Sequence, residues 1–187
     1  MNQGHAELCS SARWAEFIAE DVLPAVLAGQ DLDTPVLEVG PGYGAATALL
    51  AARCEDLTAV EIDPALAAGL RERFPTVAVV EGRGEQLPFP DKAFNAVLCF
   101  TMLHHMHSAA TQDAMFAQAH RVLREGGLFA GSDSIASPGL RGFHHDDIYT
   151  PVDPCALDER LVAAGFASAD VRVAPTGDWF SFIARRA

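Results

Sequence analysis

Basic side chains are scarce in this chain: 13 lysines and arginines stand against 25 aspartates and glutamates, a formal net charge of -12 over 187 residues. Such a surface repels a polyanion over most of its area, so DNA or RNA is not expected as a substrate. Arg71 and Arg73 lie close together, but Glu72 separates them and the three read as the solvated face of a helix. Long apolar runs are missing too. No stretch approaches the roughly 20 apolar residues a membrane helix needs, and no charged-then-apolar leader opens the chain. The four cysteines (Cys9, Cys54, Cys99, Cys155) are scattered without a Cys-x-x-Cys pair. They support neither a zinc site nor a disulfide framework, and reduced thiols in a cytoplasm are expected.

What is present is apolar. Half of the residues are hydrophobic, which argues against disorder and for one domain with a substantial core. Residues Glu7 to Leu27 carry apolar side chains near helical spacing, interrupted by Pro24, and predict one helix with a late bend. After a loop, strands and helices alternate. Strands are expected at 36–40, 57–62, 77–81, 94–100 and 128–133, with helices at 45–53, 64–74, 109–124 and 154–164 between or after them. Residues 134–153 read as a long irregular segment, a length that usually marks a lid or binding loop. Strands at 167–173 and 179–185 flank the turn Pro175-Thr176-Gly177-Asp178 and close the chain as an antiparallel pair. Near-continuously apolar strands alternating with helices imply an α/β, Rossmann-like, doubly wound and mostly parallel sheet with helices on both faces.

The chemistry-bearing segment is Val36-Leu37-Glu38-Val39-Gly40-Pro41-Gly42-Tyr43-Gly44, where a buried strand runs into three closely spaced glycines. Glycine tolerates positive φ and lets a backbone approach a ligand, and the helix that follows points its free N–H groups back at the turn. In a doubly wound sheet that turn lies where ligands bind. Glu61 ends the neighbouring strand, where a carboxylate can accept both hydroxyls of a ribose, and Asp63 suits a cap for the helix that Pro64 begins.

Glu38, the glycine turn, Val60-Glu61-Ile62-Asp63, the run Gly82-Arg83-Gly84-Glu85-Gln86-Leu87-Pro88-Phe89, the stretch Val97 to His105 and Leu123-Arg124-Glu125-Gly126-Gly127 occur in order. Together they resemble the class I S-adenosylmethionine-dependent methyltransferases, over residues 34 to 186. The resemblance implies S-adenosyl-L-methionine as cofactor and a seven-stranded sheet. It implies that Glu38 anchors the glycine turn and the methionine end, that Glu61 holds the ribose, and that Ile62 packs on adenine. Gly40, Gly42, Gly44, Arg83, Gly84, Glu85, Cys99 and Phe100 complete the implied cofactor set. Two departures stand out: Arg83 replaces the acid that usually meets the adenine amino group, and Asn95 stands where aspartate is usual.

The implied reaction is methyl transfer to a small-molecule acceptor by in-line displacement, with residues 1–30 as a helical cap and 134–153 as a lid or substrate loop. His104, His105 and His107 follow the fourth strand, and His144 and His145 lie in the irregular segment. Both segments should reach one sheet edge, so His104, His105, His144 and His145 are the candidates for a general base. A metal ion is not expected there. Trp14, Phe143 and Tyr149 are candidate walls of an acceptor pocket. Two other readings compete: a non-catalytic methyltransferase-like binding protein, and an NAD(P)-dependent oxidoreductase, which would lack the Glu85–Phe89 run. The acceptor, the methylated element and the oligomeric state stay open in the sequence.

Overall fold

The computed structural model describes residues 2–187. Its centre is a seven-stranded sheet in the order β3-β2-β1-β4-β5-β7-β6, formed by β1 (Val36–Val39), β2 (Leu57–Glu61), β3 (Ala78–Glu81), β4 (Phe94–Phe100), β5 (Leu123–Ser134), β6 (Phe166–Val173) and β7 (Trp179–Arg186). β1 pairs in parallel with both β2 and β4, so the winding reverses between β1 and β4. β7 runs antiparallel to β5 and to β6, as the closing turn implied.

Pleating explains how each apolar strand serves two layers. In β1, Leu37 and Val39 face one cluster while Val36 faces the other; in β4, Val97 and Cys99 alternate with Ala96 and Leu98 in the same way. The first cluster is roofed by α6 (Ala109–Val122) and α8 (Pro154–Ala163), through Met115, Phe116, Leu157 and Leu161. The second is roofed by α4 (Ala45–Ala51), through Leu50, and by the N-terminal helical segment, through Ile18, Val22 and Leu23. Each fully buried Leu or Phe of this kind contributes roughly 1.5–3 kcal/mol of transfer free energy. β2 and β3 are joined by α5 (Pro64–Arg73), whose N-cap is Asp63: its carboxylate accepts from Ala65 N (2.8 Å) and Leu66 N (3.1 Å).

Three boundaries differ from the sequence-based expectation. The N-terminal segment is two helices, α1 (Gln3–Cys9) and a longer one made of α2 (Ala12–Phe17), a π turn at Ile18–Val22 and α3 (Leu23–Leu27). The break falls at Ser10 and Ser11, whose hydroxyls bond Ala6 O (2.8 Å) and Leu8 O (2.7 Å) and so compete with helix backbone bonds. Pro24 breaks nothing, because the widened turn just before it takes up the ring. Helix α6 stops at Val122, not at residue 124, since Leu123 already pairs with Phe94 across a bulge that holds Gly126 and Gly127. Lastly, the segment 134–153 contains α7 (Pro138–Phe143), started by Ser137, whose Oγ accepts from Leu140 N (3.0 Å), with proline in its first turn.

That segment and α1 are tied to each other. The Asn2 side chain caps α1 by accepting from His5 N (2.9 Å), and its amide donates to Phe143 O (2.8 Å) and His145 O (3.2 Å). Further along, Thr150 N donates to His104 O (2.8 Å), and buried Gln112 bridges Leu103 O and Thr150 O. Both segments therefore sit over the carboxyl ends of β1 and β4. No helix among the described residues is long and apolar enough to cross a membrane.

Candidate cofactor and acceptor site

The glycine turn leaves β1 with Gly40, Gly42 and Gly44 at φ of 68°, 55° and 76°. These values need glycine. A Cβ at Gly40 would also lie 3.0–3.2 Å from the Met102 side chain, whereas one at Gly42 would meet nothing within 4 Å and project into open space. The open space is a cavity of about 300 Å³, within the usual size range of small-molecule sites.

Glu61 forms its floor. It is 4% exposed, and its two carboxylate oxygens accept from Gly42 N and Asp63 N, both at 2.9 Å. The carboxylate at the end of β2 thus holds the glycine turn in place while still lining the cavity. Beside it Ile62 is 54% exposed, a large apolar side chain left bare at the rim. Opposite stand Gly84 and the ion pair between Arg83 Nε and Glu85 Oε1 (2.5 Å), with Phe100 and Thr101 at the end of β4. Thr101 has φ of 49°, an uncommon conformation for a residue other than glycine, and its N–H is held by Ser132 O (2.8 Å).

Of the residues proposed from sequence, Gly40, Gly42, Glu61, Ile62, Arg83, Gly84, Glu85 and Phe100 line the cavity. Three do not. Gly44 is buried as the N-cap of α4, against Leu70 and Phe74. Cys99 is fully buried on the face of β4 that packs against α6, and burial raises its thiol well above the ordinary range. Period 2 in β4 makes this inevitable once Phe100 faces the cavity side. Glu38 lies behind the turn, 1% exposed, with Oε2 accepting from Thr47 Oγ1 (2.7 Å). Burial, helped by the nearby Glu61 charge and opposed by the Thr47 bond, raises its carboxyl to about 7.

Asn95 is far from this edge. Its amide donates to Thr34 O (2.5 Å) and its carbonyl accepts from Arg124 (3.1 Å), so that departure concerns the opposite end of the sheet.

A second cavity of about 380 Å³ adjoins the first, and both are lined by His5, Cys9, Trp14 and Thr101. Phe143 lines the second only; Tyr149 instead packs on His144 (ring centroids 5.1 Å apart) and under Arg141. The histidines gather at this junction, though not as the spacing implied. His104, His105 and His144 converge, His145 is exposed and turned away, and His5 takes the fourth place. Burial lowers His5 to about 4 and His105 to about 2, and the neighbouring imidazoles add to the effect. Burial also lowers His144. It opposes charge on His104 as well, but there the Asp133 carboxylate prevails and the pKa is raised. His5 and Asp133 were not legible as site residues, because only the docking of α1 and the pairing of β5 bring them here.

A methyltransferase domain family model matches residues 37–131, the stretch that carries the glycine turn, Glu61 and the end of β4. A Mycolicibacterium smegmatis protein, whose name describes an S-adenosylmethionine-dependent methyltransferase, is 32% identical over 150 residues, 76% of this chain and 54% of that protein. The chain thus spans about half the length of that relative. Ribosomal RNA small subunit methyltransferase A of Chlorobium chlorochromatii is 44% identical over 57 residues, 30% of this chain and 22% of that protein. Among solved structures, phosphoethanolamine N-methyltransferase 2 of Haemonchus contortus, in complex with S-adenosyl-L-methionine, superposes with a TM-score of 0.72 at 14% identity, covering 92% of this chain and 52% of that one. The last likeness speaks for the fold; the family model, which runs from the glycine turn into β5, speaks for kinship, and the chain belongs to the family of S-adenosylmethionine-dependent methyltransferase domains.

Proposed function

We propose that this chain binds S-adenosyl-L-methionine in the 300 Å³ cavity and moves its methyl group to a small-molecule acceptor held in the adjoining 380 Å³ cavity. The observation that carries this reading is the Glu61 carboxylate, buried, fixed by Gly42 N and Asp63 N, and still facing the cavity. The residues present fit the cofactor. Glu61 would take the ribose hydroxyls, bare Ile62 would cover a face of the adenine, and Gly84 with the Arg83–Glu85 pair would meet its polar edge. Open space in front of Gly42 would receive the methionine end. Glu38 would act from behind, by holding α4 to β1 through Thr47.

When bound, the cofactor supplies an already activated methyl group, whose transfer is an in-line displacement: the acceptor's electron pair forms the new bond as the carbon–sulfur bond breaks and sulfur keeps that pair. The chain's own work is alignment and the exclusion of water, worth up to roughly 7–11 kcal/mol. Thr101, shared by both cavities, stands where donor and acceptor would meet. A proton must leave only if the acceptor is a hydroxyl or a protonated amine, and His5, lining both cavities, with His105 in the first and His104 and His144 in the second, are the groups at hand.

Helices in residues 1–30 form a cap and residues 134–153 a lid over one domain, a reading supported by the Asn2 bonds to Phe143 and His145. The acidic surface and the limited 380 Å³ volume of the second cavity favour a small acceptor over nucleic acid. Free cysteines, two of them buried, favour a reducing cytoplasm. Calorimetry with S-adenosyl-L-methionine and S-adenosylhomocysteine tests the cofactor, and a panel of small acceptors scored by S-adenosylhomocysteine release tests the reaction. Absence of binding at millimolar cofactor would end the proposal.

A further inference from the structure

The histidine cluster has features that methyl transfer alone does not require. His5 from α1, His104 and His105 from the 3-10 turn at Leu103–His105, and His144 just after α7 each place one ring nitrogen within 4.8 Å of the others. Four imidazoles from three separate stretches thus meet at one point. Ring centroids are 4.1 Å apart for His104 and His105, 4.5 Å for His5 and His144, and 5.0 Å for His104 and His144. A tetrahedral ion with nitrogen ligands at about 2.0–2.1 Å sets those nitrogens about 3.4 Å apart, so a modest contraction of the cluster would suffice.

Hydrogen bonds fix which nitrogen faces inward for two of the four rings. Nδ1 of His104 is bonded to the carboxylate of fully buried Asp133, whose other oxygen accepts the His104 backbone N–H (2.9 Å). Nδ1 of His144 is 2.8 Å from Leu140 O, an oxygen that can only accept, so this nitrogen carries the proton. Both rings therefore carry their lone pair on Nε2. A carboxylate or carbonyl behind the ring is how proteins orient and strengthen metal-ligating histidines. His144 Nε2 is moreover buried without a hydrogen-bond partner among the described residues, while His5 Nδ1 faces Asp147 Oδ2 at 3.5 Å, a carboxylate behind the ring as for His104. Buried polar atoms rarely stay unsatisfied, and a cation in the cluster would satisfy His144 Nε2.

We propose that His5, His104, His105 and His144 form a binding site for one divalent transition-metal ion of the zinc class, at the junction of the two cavities. Neutral imidazole suits zinc, iron, nickel and copper, while magnesium and calcium prefer oxygen. His5 and His105 also line the first cavity, and His5, His104 and His144 the second. With all four imidazoles ligated the ion would be coordinatively closed and would chiefly tie α1 and the segment after α7 to the 3-10 turn. An acceptor hydroxyl or amine would meet it only as a fifth ligand or in place of one imidazole, and its pKa would then fall by coordination. This site is distinct from the cofactor cavity floor, and the ion would bind with or without S-adenosyl-L-methionine.

The test uses the full chain, freed of any affinity tag, stripped with a chelator and dialysed. Titration with Co²⁺, followed by visible absorption, and with Zn²⁺, followed by calorimetry, should show one equivalent bound at micromolar or lower dissociation constant. His144→Gln and His5→Gln should each weaken binding at least tenfold, and Asp133→Asn about 10–100-fold, the usual effect of losing an outer partner. His107→Ala and His145→Ala, both exposed, should leave it unchanged. Circular dichroism on each variant separates lost ligation from lost folding, and His5→Gln on α1 lies outside the sheet should the others fail to fold. No saturable binding, or binding that survives both His5→Gln and His144→Gln, overturns the proposal.

Discussion

The Glu61 carboxylate and the Gly42 N–H, from neighbouring strands' ends, are joined at 2.9 Å, and this bond sets the conformation of the turn that faces the cavity. One side chain therefore both shapes the site and presents charge to it. Glu61→Gln replaces an acceptor with a donor facing either Gly42 N–H or Asp63 N–H. The change should lower cofactor affinity at least tenfold by calorimetry and cost about 1.5–3 kcal/mol in chemical denaturation, since bonds to a charged acceptor are of that order. Full cofactor affinity in the variant would count against the ribose role.

Glu38 should make stability fall with rising pH. Its folded carboxyl is raised to about 7 from 4.5, so the folded state holds the proton more tightly than the unfolded one. The resulting stabilisation is complete below pH 4.5 and is lost as pH rises through 7. Glu38→Gln keeps an acceptor for Thr47 and should remove the loss. At pH 8 the variant should exceed the native chain by about 3 kcal/mol, because each pH unit between the unfolded and folded titrations is worth about 1.4 kcal/mol, with no gain at pH 4. Urea denaturation at both pH values measures this.

Ile62 offers a cleaner separation of binding from folding. More than half exposed, it contributes little to the core, so Ile62→Ala should change stability by under about 0.5 kcal/mol. The same change should weaken S-adenosylhomocysteine binding about tenfold, because the variant withdraws the apolar surface offered to the adenine. A melting curve and a titration decide it; a lower melting temperature with unaltered affinity would reverse the assignment.

Phe143 lines only the second cavity, while Trp14 lines both. Phe143→Ala should therefore raise the acceptor KM several-fold and leave cofactor affinity unaltered, whereas Trp14→Ala should affect both. Steady-state kinetics on the first acceptor found, with a cofactor titration alongside, tests the pair.

Much of the scaffold could be read along the chain because its determinants are local. Val36–Val39 and Leu57–Glu61 are unbroken buried runs, and glycines at 40, 42 and 44 demand a turn wherever they stand. Boundaries were harder to read where local and tertiary forces compete: α6 loses its last residues to the pairing of Leu123 with Phe94. At the site, periodicity alone excludes Cys99 from the cavity once Phe100 is inside it, yet which of the two faces in is known only from the layer that each packs against.

The succession of strands and helices, the glycine turn and the acid at the end of β2 were thus determined by the amino-acid sequence itself, since side-chain alternation and glycine's backbone freedom act over short stretches. At the histidine junction, where His104, His105 and His144 were expected to reach one edge, tertiary structure decided the rest: it brings in His5 and Asp133 and leaves His145 out. His5, His104 and His144 have no shared local pattern, and their meeting depends on Asn2 tying α1 to the segment beyond α7 while Asp133 holds His104 from β5. Such contacts follow from how separate layers bury against one another, a property of the whole packed chain that no stretch of it carries.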